Sequence, residues 1–252
     1  MAVLARCRGK VVIVGGGPGD PGLITVKGMK ALEEADAILY DRLAPKGLVE
    51  KLQTPALKIY VGKKPGEGMS QEEINRLMEI LACRGMTVAR LKGGDPYTYG
   101  RGEEECMYLI EKGVDCIVIP GIPSYIAASA LHGIPLTSRG ISSSFAVITG
   151  KEAPGKPAGK RVKLEDIARS VDTLVILMGA STSAEIAERL IKVLPPETPV
   201  AIASSVSTPE AETLVTDLRG LRELGRQGRV KSPAVIIVGE VVKLRDRLYK
   251  EA

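Results

Sequence analysis

Residues 11–22 read VVIVGGGPGDPG, a β-branched apolar run that ends in a glycine–proline loop. Such a run describes a buried strand leaving the core through a tight turn. From Gly17 the spacing G-x-G-x-x-G is complete with Gly19 and Gly22, and Asp41 follows a second apolar run, ADAILY (35–40). That is the spacing of a dinucleotide-binding fingerprint. The chemistry of the loop argues against it. The helix N-terminus of the fingerprint holds a pyrophosphate, yet Asp20 places a carboxylate inside the loop. Pro18 and Pro21 delete two backbone N–H groups that should face phosphate. Asp20 is expected instead as the N-cap of a helix that opens at Pro21 and carries Val26, Met29 and Leu32. A nicotinamide-dependent dehydrogenase is the remote reading.

Outward from this loop, strand and helix patterns alternate. Strand runs are VVIV (11–14), AILY (37–40), LKIYV (57–61), TVARL (87–91) and CIVIP (116–120). A helix is predicted from Ser70, whose hydroxyl and Glu73 form an S-x-x-E capping box. Ile74, Leu77, Met78 and Leu81 follow at helical spacing, and Gly85 is the stop. Apolar strands separated by helices imply a parallel sheet covered on both faces. A second series, FAVIT (145–149), TLVILM (173–178), VAIAS (200–204), TLVTDL (213–218) and AVIIV (234–238), follows GIPLTSRGIS (133–142). The fold class is therefore α/β in two lobes, 1–137 and 138–252, with a Gly-, Pro- and Lys-rich surface loop at 151–163.

Composition narrows the function. The chain has 252 residues, 44% hydrophobic and 26% charged, and no apolar stretch approaches the roughly 20 residues of a membrane span. The N-terminus lacks a secretory core, so the cytoplasm is expected. Four cysteines, Cys7, Cys83, Cys106 and Cys116, form no CxxC pair and are expected as buried thiols. With a single histidine, neither a His-based metal site nor a Ser-His-Asp triad is expected, and no metal is expected. Net charge is +5 with only 3% aromatic residues and dispersed basic side chains. That suits a polyanionic small molecule better than nucleic acid. A single asparagine, Asn75, and no tryptophan suggest a heat-tolerant source.

Strand exits carry the chemistry. VVIV runs into Gly15-Gly16-Gly17-Pro18, AILY into Asp41, TVARL into Lys92-Gly93-Gly94-Asp95, CIVIP into Gly121 and TLVILM into Gly179. Ligands of open α/β sheets bind at these carboxyl ends, and glycines let backbone come close. Asp95 can accept from an ammonium or a hydroxyl, or can simply form the turn before Pro96. A cosubstrate with an ammonium, a ribose and an apolar ring, such as S-adenosylmethionine, fits such a cleft.

The motifs VGGGPGDPGLITVKG (14–28), ADAILYDRL (35–43), SQEEIN (70–75), RLKGGDPYTYGRGEEE (90–105), PGIPS (120–124), GIPLTSR (133–139), LVILMG (174–179) and SPAVIIVGEVVKL (232–244) span both lobes. In this order they resemble the uroporphyrinogen-III C-methyltransferases of the tetrapyrrole methylase superfamily. The resemblance implies a homodimer of two-lobed subunits, with S-adenosylmethionine folded in the cleft between lobes and not on a Rossmann glycine loop. It implies two methyl transfers to uroporphyrinogen III, at C-2 and C-7, giving precorrin-2 for sirohaem or cobalamin synthesis, with S-adenosylhomocysteine as by-product.

Carried over by motif, the cosubstrate positions are Pro18, Gly93, Gly94, Asp95, Thr98, Pro123, Ser124 and Met178, with Val206 and Ala234 as weaker transfers. Asp41 is the candidate general acid/base; its plainer alternative is a capping or salt-bridged aspartate. The substrate's eight carboxylates call for cations, and Arg42, Lys63, Lys92, Arg101 and Arg139 lie at or beside the strand-exit motifs. His132 is expected as a packed or capping residue. Another precorrin methyltransferase of the superfamily is the runner-up, and a non-catalytic tetrapyrrole carrier is the reading from another class.

Overall fold

A computed structural model describes residues 6–62, 68–152 and 162–248. By internal packing the chain forms two compact units, Met1–Ser124 and Tyr125–Ala252. The expected boundary after residue 137 lies inside the second unit.

In the first unit the strands are β1 (Lys10–Gly15), β2 (Ala37–Tyr40), β3 (Leu57–Tyr60), β4 (Thr87–Lys92) and β5 (Asp115–Ile119). The helices are α1 (Val26–Glu33), α2 (Lys46–Lys51), α3 (Gln71–Cys83) and α4 (Gly102–Glu111). The sheet order is β3-β2-β4-β1-β5 and every pairing is parallel. Alternation along the strands sorts their side chains onto two faces. Val11, Ile13, Leu39 and Val88 pack with Ile74 and Met78 of α3 and Leu109 of α4. Val12, Val14, Ile38 and Leu91 pack with Leu32 of α1 and Leu48 of α2. Neighbouring strands β1 and β4 thus lead to helices on opposite faces, which makes the gap between their carboxyl ends a topological switch point.

The predicted box at the start of α3 is present in both halves. Glu73 N–H donates to Ser70 Oγ (3.2 Å) and Ser70 N–H to Glu73 Oε2 (2.6 Å). The start of α1 differs from expectation. Asp20 caps only a 3-10 turn, Pro21–Leu23, and Thr25 caps α1 by accepting from Gly28 N–H at 3.0 Å. Val26 is consequently 75% exposed at the first position of α1, while Leu32 reaches the core.

The second unit carries α5 from its boundary (Ser124–Leu131), then β6 (Phe145–Thr149), α6 (Leu164–Ser170), β7 (Thr173–Leu177), α7 (Ser183–Ile191) and β8 (Pro199–Ser204). β9 (Glu212–Asp217), α8 (Leu218–Arg226), β10 (Ala234–Val238) and α9 (Arg245–Leu248) complete it. The order is β6-β7-β10-β8-β9; β6 and β7 are parallel, and the other pairings are antiparallel. Ile148, Ile176, Ile202 and Ile236 form its core with Leu190 of α7 and Leu221 of α8.

The cysteines are not thiols. Cys7 is bonded to Cys83, and Cys106 to Cys116. The segment before β1 runs along the end of α3, with Gly9 N–H donating to Ala82 O at 3.0 Å. A Cβ on Gly9 would sit 2.2 Å from Met86 O, so only glycine permits the approach that brings Cys7 to Cys83. Lys63 and residues 153–161 of the expected surface loop lie outside the described residues.

Candidate active site

Four strands of the first sheet deliver the predicted positions to one edge. Asp41 follows β2, Gly93 to Asp95 follow β4, Pro18 follows β1, and Pro123 and Ser124 follow β5. At the switch point Gly17 N–H donates to Gly94 O (3.2 Å) and Gly94 N–H to Gly17 O (2.7 Å). Gly16 N–H donates to Lys92 O, and Gly22 N–H to Asp20 Oδ1. These three loop N–H groups, of Gly16, Gly17 and Gly22, are therefore committed to protein acceptors, which a pyrophosphate cradle cannot allow.

The glycines divide by role. A Cβ on Gly15 would lie 2.4 Å from Gly121 N, and one on Gly121 would lie 2.3 Å from Gly94 O. Their smallness lets backbone pack on backbone. Gly94 differs: at φ +68° it leaves a Cβ position with nothing nearer than 3.9 Å. Space beside an exposed peptide at a strand end suits a ligand. Asp95 latches the loops around it. Its Oδ1 accepts from Gly121 N–H (3.2 Å), and its Oδ2 from Tyr97 N–H (3.0 Å) and Thr98 Oγ1 (3.1 Å). Thr98 is thus joined to Asp95 in one polar cluster. A carboxylate beside open backbone fits the ammonium or hydroxyl of an S-adenosylmethionine-like molecule, and repels phosphate.

Asp41 sits at the head of a buried ion cluster. Its Oδ1 accepts from Leu43 N–H (2.9 Å) and its Oδ2 from Arg90 Nη2 (2.8 Å). Of the two plain expectations for this aspartate the salt bridge is met, with the side chain 26% exposed, whereas the Leu43 bond closes a turn and the helix that follows starts only after Pro45. Arg90 also donates through Nε to Glu105 Oε1 (3.3 Å) and through Nη1 to Leu91 O (3.1 Å). Glu105 Oε1 accepts further from Lys92 Nζ (2.9 Å) and Gln71 Nε2 (3.1 Å). Burial, then the positive charge of Arg90, push the Lys92 ammonium below its usual pKa range. Lys92 is 6% exposed and its ammonium is engaged inward.

The other cations differ. Arg42 and Arg139 are exposed, and Arg101, at φ +60°, pairs with Glu104 at 2.6 Å on the surface. In the second unit Met178 leaves β7 at φ +57° with 49% exposure. A non-glycine residue held there and left open is a strained position of the kind found at functional sites. Val206 is buried between Ser205 (φ +49°) and Ser207 (φ +61°) at the end of β8. Register places Ala234 opposite Ser204, and Val235 opposite Leu177, so Met178, Val206 and Ala234 gather at one end of the second sheet. His132 is buried, with Nδ1 2.8 Å from Thr213 Oγ1, and burial lowers its pKa. A cavity lined by Thr149, Glu152, Glu185 and Arg189 contains none of the predicted positions. Among the described residues no group of His, Cys, Asp or Glu is arranged to hold a metal.

Sequence reasoning missed Arg90, Glu105 and Gln71. A signal existed: Arg90 and Lys92 share the face of buried Val88, and two cations on a buried face require acids from elsewhere.

The sequence matches the Tetrapyrrole (Corrin/Porphyrin) Methylases over residues 10–222. It is 43% identical over 241 residues to the uroporphyrinogen-III C-methyltransferase of Methanocaldococcus jannaschii, covering 94% of this chain and 98% of that protein. It is 41% identical to the siroheme synthase of Hydrogenovibrio crunogenus, covering 97% of this chain but only 52% of the longer relative. A crystal structure of a Thermus thermophilus uroporphyrin-III C-methyltransferase, complexed with S-adenyl homocysteine, superposes with a TM-score of 0.77 at 39% identity, covering 93% of this chain and 99% of that one. A family match over residues 10–222, with a relative 43% identical along nearly its whole length, makes this chain a member of the tetrapyrrole methylase family.

Proposed function

We propose that this chain is an S-adenosylmethionine-dependent C-methyltransferase that methylates uroporphyrinogen III at C-2 and then C-7 to give precorrin-2. The observation that carries the reading is the convergence of Pro18, Asp41, Gly93, Gly94, Asp95 and Pro123 at the carboxyl ends of four adjacent strands. The near full-length likeness to a relative named for this reaction supports it. The cosubstrate supplies a sulfonium methyl that needs no further activation. An electron-rich pyrrole β-carbon of the substrate attacks that methyl, so alignment is the protein's main contribution. Open backbone at Gly94 and the carboxylate of Asp95 serve to seat the donor, with Thr98 bonded to Asp95. Pro18, Gly93, Pro123 and Ser124 complete the first unit's set, and Met178, Val206 and Ala234 are the second unit's. Asp41 handles the proton that the methylated ring must lose.

Arg42, Arg101 and Arg139 are the substrate-carboxylate candidates, and Lys63 joins them by motif alone. Lys92 belongs with the buried cluster. The product supplies sirohaem or cobalamin synthesis, in the cytoplasm. Assembly as a homodimer is what the family resemblance implies, and the exposed Met107 and Ile110, three residues apart on α4, offer a partner an apolar strip.

Anaerobic incubation with methyl-labelled S-adenosylmethionine tests the reading. Label is expected on uroporphyrinogen III. Label on precorrin-2 and not on uroporphyrinogen III would instead identify a later precorrin methyltransferase. Tetrapyrrole binding without any label transfer would identify a carrier.

A further inference from the structure

Glu105 has no part in the reading above, yet it is the most fully buried acid described, at 0% exposure. Its Oε1 receives three donors, from Arg90, Lys92 and Gln71, while its Oε2 has no hydrogen-bond partner among the described residues. A buried carboxylate is costly unless paired, and losing one partner of such a group exposes the cost. Here two cations, Arg90 and Lys92, match two acids, Glu105 and Asp41.

The arrangement is directional. Arg90 is planar and donates along three edges, to Asp41, to Glu105 and to Leu91 O. Such a fork fixes an orientation that a lysine could not. Asp41 is then held from both sides, by Arg90 on Oδ2 and by Leu43 N–H on Oδ1. Arg90 is held in turn by Glu105. The helix carrying Glu105 is itself anchored, because the next residue, Cys106, is bonded to Cys116 in β5, and Leu109 is fully buried.

We infer that Glu105 is a positioning residue for methyl transfer: through Arg90 it sets the orientation in which Asp41 meets the substrate proton. The inference rests on the reading of Asp41 as the proton handler. Lys92 completes the charge match, so that Arg90 can serve Asp41 without leaving Glu105 uncompensated.

The test is a kinetic cycle of Glu105→Gln, Asp41→Asn and the double variant, assayed for methyl transfer to uroporphyrinogen III. Calorimetric binding of S-adenosylhomocysteine reports folding of each. Misplacing a reacting group costs on the order of 10- to 100-fold, so Glu105→Gln should lower kcat by that factor. KM for the methyl donor should stay the same, and the effect should vanish in the Asp41→Asn background. If Glu105→Gln fails to bind S-adenosylhomocysteine, Arg90→Lys replaces it. That variant keeps the charge but cannot bridge both acids, and should show the same kcat loss. Glu103→Gln, on the exposed side of α4, should leave kcat unchanged. An unaltered kcat in Glu105→Gln, or in Arg90→Lys where that replaces it, overturns the inference while the Asp41 reading stands. So does a loss that multiplies with that of Asp41→Asn, which marks a purely structural role. Turnover by Asp41→Asn at the parent rate overturns the Asp41 reading, and this inference with it.

Discussion

Asp95 makes three hydrogen bonds within its own unit, and each could account for its presence without any ligand. What separates turn former from ligand contact is charge. The turn bonds from Tyr97 N–H and Thr98 Oγ1 both go to Oδ2 and survive in an amide whose oxygen stands there, at the cost of the bond from Gly121 N–H, whereas an ammonium or a ribose hydroxyl is held more strongly by a carboxylate. Asp95→Asn should therefore unfold within a few degrees of the parent yet bind S-adenosylmethionine about tenfold more weakly, a loss of about 1.4 kcal/mol. Thermal unfolding and calorimetric titration check the pair of outcomes. Undiminished affinity with a lowered Tm would leave Asp95 a turn former. The same distinction applies at Gly15 and Gly121, which are glycines because backbones touch, and not because a ligand approaches. Gly94, by contrast, combines a positive φ with open space at this edge.

At the scale of elements, packing between helices supplies a pH-dependent contact. Arg189 on α7 forks onto Glu165 at the start of α6, with Nε to Oε1 at 2.8 Å and Nη2 to Oε2 at 2.7 Å. Hydrogen bonding from Arg189 is the main reason that the Glu165 pKa falls from 4.5 to about 2. Because folding lowers this pKa, the stabilisation is complete above pH about 4.5 and is lost as pH falls towards about 2. Glu165→Gln should flatten the stability curve within that window, as measured by denaturant unfolding at a series of pH values. An unchanged acid limb would show that the pair contributes nothing there. Elements themselves were well marked in the sequence. β-Branched runs bounded by Gly and Pro located the strands, and Ser70 with Glu73 located α3. Strand direction in the second unit was not readable, because a buried apolar run carries no mark of parallel or antiparallel pairing. The start of α1 was misplaced because Asp20 and Thr25 both have capping chemistry, and Pro21-Gly22-Leu23 sustains only a 3-10 turn. The ion cluster escaped notice because its members come from β2, β4, α3 and α4 and meet only once the sheet is assembled.

For the molecule as a whole, the two disulfides confine the first unit by different amounts. Cys7–Cys83 closes a separation of 76 residues and Cys106–Cys116 one of 10. Chain-entropy reasoning assigns them about 4 and about 3 kcal/mol respectively. The Cys7→Ser/Cys83→Ser variant should thus lose more Tm than the Cys106→Ser/Cys116→Ser variant, and reductant should bring the parent down to or below the lower of the two. Identical melting with and without reductant would mean that the bonds do not form. Two disulfides and few amide side chains both accord with the heat-tolerant source expected from the composition. Methyl transfer to uroporphyrinogen III is the reaction proposed for the strand-exit loops. Its most direct test is mass spectrometry of the tetrapyrrole after anaerobic incubation with uroporphyrinogen III and methyl-labelled S-adenosylmethionine. Two labelled methyl groups, at C-2 and C-7, are the predicted result; an unlabelled tetrapyrrole recovered from a protein that binds S-adenosylhomocysteine would contradict it.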